Sequence, residues 1–288
     1  MSKCSIPVKS NTAAVVVLYK PDKGLYDRLK RINTQVDTLI VVSNDCTRPE
    51  CINRLDKNSI IWIENENNLG SALNIGLNEA LKLKYKWCFL FDQDTEVGSD
   101  ILCEMSRSFS IFPEKDKVGV IVPNYSHKIG GKSAYLPDVD FQIVTTAVTS
   151  GMLIPLSTLN FVGGMREDFI IEGIDVEYCL RLCEVGLYTV ATGKTLMTHS
   201  AGDAYERNIF GRSILVTNHS PWRIYMQYRN ITTIILLHGW RNKLWTINAI
   251  YSMLKKILII VLLDKNKIVK CLNAGKGIGS GVWAFIKD

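Results

Sequence analysis

The sequence lacks the features that mark secreted chains and zinc-binding modules. Its amino terminus, "MSKCSIPVKSN", has no apolar core of the kind that a signal peptide needs. Its eight cysteines include no Cys-x-x-Cys pair and no Cys/His cluster at zinc spacing. We therefore expect a cytoplasmic chain with reduced thiols, in which Cys88 and Cys179 are buried inside apolar patterns.

Glutamate is missing from the last part of the chain. Residues 211–288 hold 12 Lys and Arg against 2 acidic residues, whereas residues 1–210 hold 22 against 26. The net charge of +6 thus combines +10 in the tail with −4 in the remainder. A basic tail suits an anionic surface. Because no nucleic-acid-binding signature and no aromatic stacking platform accompany it, we predict a membrane partner and no nucleic acid.

The chain also lacks internal repeats and low-complexity segments. Its 288 residues, 47% hydrophobic and 22% charged, suit a globular protein with one large domain and an appendage. Short β-branched runs alternate with helical patterns, as in a parallel sheet covered by helices. The predicted strands are 13–19, 38–44, 60–63 and 86–91, and the first predicted helices are 24–35 and 71–84. We predict an α/β domain over 1–210 and a helical extension over 211–288.

Two aspartates two positions apart follow the fourth predicted strand, in "FLFDQDTEV". Ligands of open α/β sheets bind beyond the carboxyl ends of the strands, which is where Asp92 and Asp94 fall. Two carboxylates at this spacing can hold one hard cation together with phosphate oxygens and water. The alternative is an acidic turn in which Asp94 caps the next segment of the chain. A second triplet, Asp138 to Asp140, lies in a predicted loop, and we expect it to be solvated surface.

Polar residues also end the second predicted strand. Ser43, Asn44 and Asp45 are able to hydrogen-bond a nucleobase or ribose at the same sheet edge. Gly70 precedes the helix at 71–84, where a glycine permits close approach of a nucleotide to the backbone. A plain turn and a helix-entry glycine are the alternatives for these two features.

The ordered segments of the chain resemble the successive blocks of the family 2 glycosyltransferases, which have the nucleotide-diphospho-sugar transferase (GT-A) fold. The matching segments are "VVVLYKP", "LIVVSND", "NENNLGSALNIGL", "WCFLFDQDTEV", "FIIEGIDVEYCLRLCEVG", "HSAGD" and "HSPWRIYMQYRN". The forms "FDQDT", "IDVEYCLR" and "HSPWRIYMQYRN" look most like the bacterial rhamnosyltransferase branch. The resemblance implies a Rossmann-like mixed sheet flanked by helices.

The resemblance also implies a donor site. Asp92 and Asp94 would hold Mn²⁺ or Mg²⁺ and the diphosphate of a nucleotide sugar, with Asp94 the closer metal ligand. Gln93 lies between them in this donor site and points to the rhamnosyltransferase branch. Ser43, Asn44 and Asp45 fall in the block that binds the base and ribose, although Ser43 replaces the family's usual aspartate.

The catalytic base implied by the resemblance is Asp175, although Ile174 replaces the first acid of the usual Glu-Asp pair. Asp175 begins a predicted helix at 175–186, so a helix cap is the alternative. As a carboxylate it would take the proton of the acceptor hydroxyl, and a single displacement would invert the sugar's anomeric centre. Glu172 and Glu177 are its acidic neighbours.

Later blocks imply further contacts. His199 would add a ligand to the metal, where an isolated histidine is otherwise more often structural. His219, Arg223 and Arg229 lie in the last block, and Arg223 or Arg229 would reach the diphosphate unless they serve only to pack the tail.

One face of the tail is apolar. The residues Leu244, Ile247, Tyr251, Leu254, Leu258 and Val261 recur at helical spacing. The window 244–263 has the length of a membrane span, but Lys255 and Lys256 lie near its middle. Their insertion cost of roughly 2.5–3.5 kcal/mol each offsets the gain from its Leu, Ile and Val residues at roughly 0.3–0.6 each. We therefore favour a helix lying on an anionic leaflet over a helix of a homodimer or a span.

These observations lead to one leading hypothesis. We expect a metal-dependent, inverting transferase that moves L-rhamnose from dTDP-L-rhamnose onto a lipid-diphosphate-linked precursor of a surface polysaccharide such as an O-antigen, at the inner face of the cytoplasmic membrane. A family 2 transferase using a UDP-hexose or UDP-galactofuranose is the first alternative. A sugar-1-phosphate nucleotidyltransferase is disfavoured because "LYKPDKG" supplies no Gly-rich loop with Arg and Lys. A non-catalytic membrane scaffold is the remaining alternative.

Overall fold

The structure is a computed structural model that describes residues 5–44, 47–55, 59–65, 68–127, 133–199, 205–209 and 212–288. The chain divides into two compact units. The first comprises Met1–Asp168 and Ile174–Ser200, and the second comprises Phe169–Gly173 and Ala201–Asp288. The second unit thus begins before residue 211 and includes a short segment from the middle of the chain.

The first unit alternates strands and helices along its sequence. Its elements are β1 (Thr12–Leu18), α1 (Leu25–Asn33), β2 (Thr38–Asn44), β3 (Ile60–Asn65), α2 (Leu69–Lys82), β4 (Trp87–Asp92), β5 (Glu96–Val97), α3 (Ile101–Ile111), β6 (Val118–His127), β7 (Phe141–Val144), β8 (Met152–Pro155), α4 (Leu159–Val162), α5 (Ile174–Glu184) and β9 (Tyr188–His199). The four predicted strands and both predicted helices of the amino-terminal region are present.

The strands of this unit form one mixed sheet, in the order β3-β2-β1-β4-β8-β6-β9-β5, with β7 also paired to β9. The pairs β3-β2, β2-β1 and β1-β4 are parallel, whereas β4-β8 is antiparallel. Every residue of β1, "TAAVVVL", is buried. Both faces of a central parallel strand are covered, which explains why its sequence is continuously apolar instead of alternating.

The parallel register places three predicted site segments at one edge of the sheet. Ser43 is the partner of Leu18 at the carboxyl end of β1, and Asp92 is the partner of Val17. The ends of β1, β2 and β4 therefore lie side by side, as expected for a ligand-binding edge. The thiols of Cys88 and Cys179 are free and buried, as predicted.

The described part of the second unit contains a two-stranded antiparallel sheet and three helices. These are β10 (Tyr205–Ile209), β11 (Arg212–Val216), α6 (Pro221–His238), α7 (Lys243–Leu263) and α8 (Lys267–Lys287). Gly277 and Gly281, one helical turn apart on α8, lie against α6, and a Cβ atom there would come within 2.5 Å and 2.4 Å of backbone oxygens of α6. Small residues thus let these two helices pack closely.

Candidate active site

The first candidate residues lie where β4 ends. Asp92 is the last residue of β4, and Asp94 lies in the turn immediately after it. Asp94 is exposed, and no described residue forms a hydrogen bond or ion pair with its carboxylate. An unpaired, solvent-facing carboxylate is available to a cation, whereas the turn cap by Asp94, which was the alternative, is not seen among the described residues.

The second Asp-x-Asp triplet has a different environment. Asp138 and Asp140 are both exposed, and Asp140 forms a surface ion pair with Arg107 at 3.0 Å. The prediction that this triplet is solvated surface is confirmed. Exposed pairs of this kind contribute little to stability.

The residues Thr149 and Ser150 connect Asp92 with Asp175. The hydroxyl of Ser150, which is fully buried, accepts a hydrogen bond from the backbone N–H of Asp92 at 3.1 Å and also bonds the hydroxyl of Thr95. The adjacent backbone N–H of Thr149 donates to Oδ2 of Asp175 at 3.2 Å. The predicted metal site and the predicted base are therefore anchored by neighbouring residues. No motif or spacing in the sequence had singled out this loop.

Asp175 lies in the first turn of α5, which begins at Ile174. Its Oδ1 accepts from the N–H of Val176 at 2.8 Å, so both carboxylate oxygens have backbone donors. Backbone donors and the positive end of a helix stabilise the ionised form of a carboxylate. Burial, reinforced by the negative charge of Asp175, raises the pKa of Tyr125. This tyrosine stays neutral beside the carboxylate.

Gln93 links the β4 turn to the end of β1. Its Oε1 accepts from the N–H of Tyr19 at 2.8 Å, and its Nε2 donates to the carbonyl of Tyr19 at 2.7 Å. Arg28 donates to the carbonyl of Gln93 at 2.7 Å. The oxygen and the nitrogen of the Gln93 side-chain amide both bond the backbone of Tyr19. Gln93 therefore positions the turn that carries Asp92 and Asp94. The ring of Tyr19, half exposed beside it, was not predicted as part of the site.

The residues predicted to bind the base and ribose lie at the end of β2. Ser43 is buried, and Asn44 accepts a hydrogen bond from the side chain of Asn65 at 3.2 Å. Asp45 lies outside the described residues. Which of these side chains holds the nucleobase remains a prediction.

The close neighbour of Gly70 in the structure is the protein's own backbone. A Cβ atom at Gly70 would lie 2.2 Å from the carbonyl oxygen of Arg166. Asn68, the N-cap of α2, donates to the carbonyl of Glu167 at 2.6 Å and holds the same loop. Gly70 therefore permits close packing between α2 and the loop at 166–167, and its predicted contact with a nucleotide stays a prediction.

His199 is the last residue of β9, where its backbone is described and its side chain is not. Its predicted role as a metal ligand stays a prediction. In the described parts of the chain, no three His, Cys, Asp or Glu side chains converge as a preformed metal site. The oxygen donors of Asp92 and Asp94 nevertheless fit Mg²⁺ or Mn²⁺, which accept carboxylate and phosphate oxygens together.

Arg223 and Arg229 lie on α6 of the second unit. Arg223 forms an ion pair with Glu172, and Arg229 lies over the ring of Phe169 at 5.9 Å. Burial, together with the positive charges of Lys256 and Arg223, lowers the pKa of His219 to about 4. The predicted contact of either arginine with a diphosphate remains a prediction.

Comparison with solved structures identifies the class of fold. S. aureus TarS, residues 1–349, superposes with a TM-score of 0.63 at 13% identity, over 95% of this chain and 82% of that one. The TarS structure in complex with UDP-GlcNAc gives the same TM-score at 14% identity, over 95% and 83%. The chain has the GT-A fold, as the resemblance of its sequence segments to the family 2 glycosyltransferases implied.

Comparison with known sequences identifies the class of protein. No family model matches the chain. The dTDP-rhamnosyl transferase RfbF of Shigella flexneri is 24% identical over 282 residues, which covers 91% of this chain and 92% of that protein. Together with the GT-A fold, this similarity shows that the protein is a glycosyltransferase.

Proposed function

We propose that the protein transfers L-rhamnose from dTDP-L-rhamnose, with inversion, to a lipid-diphosphate-linked precursor of a surface polysaccharide. The observation that carries the proposal is the connection of Asp92 and Asp175 through Ser150 and Thr149. This connection joins the turn proposed to bind the diphosphate to the carboxylate proposed as the base. The similarity to a dTDP-rhamnosyl transferase along nearly the whole chain supports the choice of donor.

In this proposal Asp175 acts as the general base. Its carboxylate takes the proton of the acceptor hydroxyl while the oxygen forms a bond to the anomeric carbon of the donor sugar. The bond from that carbon to the diphosphate breaks, and its electron pair leaves with dTDP. The backbone donors from Thr149 and Val176 orient the carboxylate of Asp175 before the acceptor binds.

Asp92 and Asp94 would hold Mg²⁺ or Mn²⁺ in the proposed site, and His199 would be a further ligand. When bound, such a cation neutralises charge on a diphosphate leaving group. The chain's own contribution is to fix the turn: Gln93 bonds the backbone of Tyr19, and Ser150 bonds the N–H of Asp92.

An alternative donor is a UDP-sugar. The observation that favours it is the similarity to TarS, whose structure is known with UDP-GlcNAc. The two donors differ in both base and sugar, so a direct comparison of dTDP-L-rhamnose with UDP-sugars separates them.

We also propose that the protein works at the inner face of the cytoplasmic membrane. The helix α7 is the one helix in the described part of the chain that is long and apolar enough to cross a membrane, with a mean hydropathy of 1.8. The six residues predicted to form its apolar face are between 45% and 81% exposed. Helices that lie on a bilayer carry such a face next to basic residues.

The test offers the purified protein dTDP-L-rhamnose and a set of UDP-sugars with Mg²⁺ or Mn²⁺ and a lipid-diphosphate-linked acceptor, and measures release of nucleoside diphosphate. We expect acceptor-dependent release from dTDP-L-rhamnose. Asp175→Asn should lower turnover by about 10²–10⁴, the contribution of a general base.

The matched control is Asp138→Asn. This substitution makes the same chemical change at an exposed aspartate of the second triplet. It should leave turnover unchanged. Full turnover by Asp175→Asn would refute the assigned base, and release from a UDP-sugar alone would refute the assigned donor.

A further inference from the structure

A pocket of about 180 Å³ lies beside α7 in the second unit. One side of α7 lines it with Ser252, Lys255, Lys256 and Ile259, and Thr217 adds a second hydroxyl-bearing side chain. The remaining lining residues are Ile260 and Asp264, and the Asp264 carboxylate is paired with Lys270. The spacing i, i+3, i+4, i+7 places the four α7 residues on one side of the helix. The pocket is much larger than one water requires, and its polar donors suit an anion.

Lys256 places a partly buried positive charge in this pocket. Its ammonium group is partly buried and donates to the side-chain oxygen of Gln227 on α6. No carboxylate among the described residues forms an ion pair with it. Burial lowers the pKa of Lys256 to about 8. A buried charge without a counter-charge is costly, so an anion bound here would be stabilised.

The neighbouring carboxylates Glu172 and Asp264 offset the charge of Lys256 only in part, because each is already paired with another cation. Glu172 forms an ion pair with Arg223, and Asp264 accepts from the ammonium group of Lys270 at 2.7 Å. Two positive and two negative groups around the pocket therefore cancel. Lys256, together with the exposed Lys255 at the edge, leaves an excess of positive charge.

The neighbouring side of α7 is apolar and faces solvent. Tyr251, Leu254 and Leu258 are each more than half exposed, and they are interleaved in sequence with Ser252, Lys255 and Lys256. Trp240, in the turn before α7, is 83% exposed. Exposed tryptophan, tyrosine and leucine beside lysine are typical of a surface at the boundary of a bilayer.

We propose that this pocket binds the phosphate group of an anionic membrane lipid, with Lys256 as its principal ligand and with Tyr251, Leu254 and Leu258 in contact with the acyl region. The proposal rests on the proposed membrane-associated function and specifies the docking site. The phosphate would accept hydrogen bonds from Lys256, from Lys255 and from the hydroxyls of Ser252 and Thr217.

The experiment measures sedimentation of the full-length protein with vesicles of phosphatidylcholine alone and with an equal mixture of phosphatidylcholine and phosphatidylglycerol. We expect binding to the mixture only. Lys256→Gln keeps a polar side chain and should weaken binding about tenfold to a hundredfold, the loss of a charge-assisted hydrogen bond. Lys243→Gln removes the same positive charge from an exposed position on the same helix. It should weaken vesicle binding about fivefold or less.

The comparison of the two variants distinguishes a specific phosphate-binding site from nonspecific electrostatic attraction to the vesicle surface. An equal or larger effect of Lys243→Gln would overturn the proposal in favour of a diffuse basic surface. Thermal stabilisation by millimolar inorganic phosphate without any binding to vesicles would show a free-anion site instead of a lipid site. Failure to bind vesicles, with a dimer seen by light scattering, would assign the apolar face to a second copy of the chain.

Two further measurements distinguish this inference from the proposed function and from misfolding. Thermal stabilisation by dTDP with Mg²⁺, in the absence of vesicles, reports on the donor site alone. Retained stabilisation with no vesicle binding would refute the lipid site and leave the transferase proposal standing. Lys256→Gln should melt at or above the wild-type temperature, because it removes a buried charge, so weak binding cannot be attributed to unfolding.

Discussion

The buried hydroxyl of Ser150 is expected to hold in place the turn that carries Asp92 and Asp94. Ser150→Ala removes the acceptor for the N–H of Asp92 and the partner of the Thr95 hydroxyl. Ser150 is fully buried and Thr95 is nearly so, so water cannot easily replace the lost bonds. An unsatisfied buried polar group costs about 1–3 kcal/mol, and we expect a loss of about 2 kcal/mol in the free energy of unfolding.

This loss corresponds to a fall of about 4–8 °C in melting temperature for a unit of this size. The substitution should also weaken the metal-dependent binding of dTDP about tenfold, because Asp92 loses the group that orients it. Thermal melting with and without dTDP and Mg²⁺ measures both effects. The control is Ser157→Ala, which removes an exposed hydroxyl of the same unit and should change neither quantity.

An unchanged melting temperature in Ser150→Ala would refute the energetic argument. A lower melting temperature with unchanged dTDP affinity would refute the functional one. In that case Ser150 would stabilise the sheet without orienting Asp92.

Packing and charge lead to three other predictions. Gly70→Ala should destabilise by about 1–3 kcal/mol in urea unfolding, because its Cβ would lie 2.2 Å from a backbone oxygen; unchanged stability would contradict this close packing. Tyr178→Phe should be neutral or stabilising by up to about 1 kcal/mol, because the Tyr178 hydroxyl is buried without a hydrogen-bond partner among the described residues; a clear loss of stability would show a missed partner. Burial lowers the pKa of Lys256 from 10.5 to about 8, so between these values the unfolded chain binds more protons. The free energy of unfolding of the wild type relative to Lys256→Gln should therefore rise by at most about 3 kcal/mol between about pH 8 and pH 10.5. Parallel pH dependence of unfolding in the two proteins would contradict this prediction.

The sequence by itself determined the elements and the position of the candidate site. Continuous apolar runs predicted β1, β2 and β4, and the end of β4 placed Asp92 at the sheet edge where the candidate site lies. The spacing of Leu244, Leu254 and their neighbours predicted the apolar face of α7, which the structure leaves exposed. These features are encoded locally, because periodicity and strand ends depend on residues close together in the chain.

The tertiary structure decided which residues meet. Ser150 reaches the N–H of Asp92 across 58 positions, and Gln93 reaches Tyr19 across 74. Gly70 is explained by the Arg166 carbonyl, and the side chain of Lys256 turns towards Gln227 instead of remaining on an open basic face. No local pattern specifies such contacts, since each depends on how distant segments pack. The sequence therefore indicated where the chemistry lies, and the packing determined which neighbours hold it there.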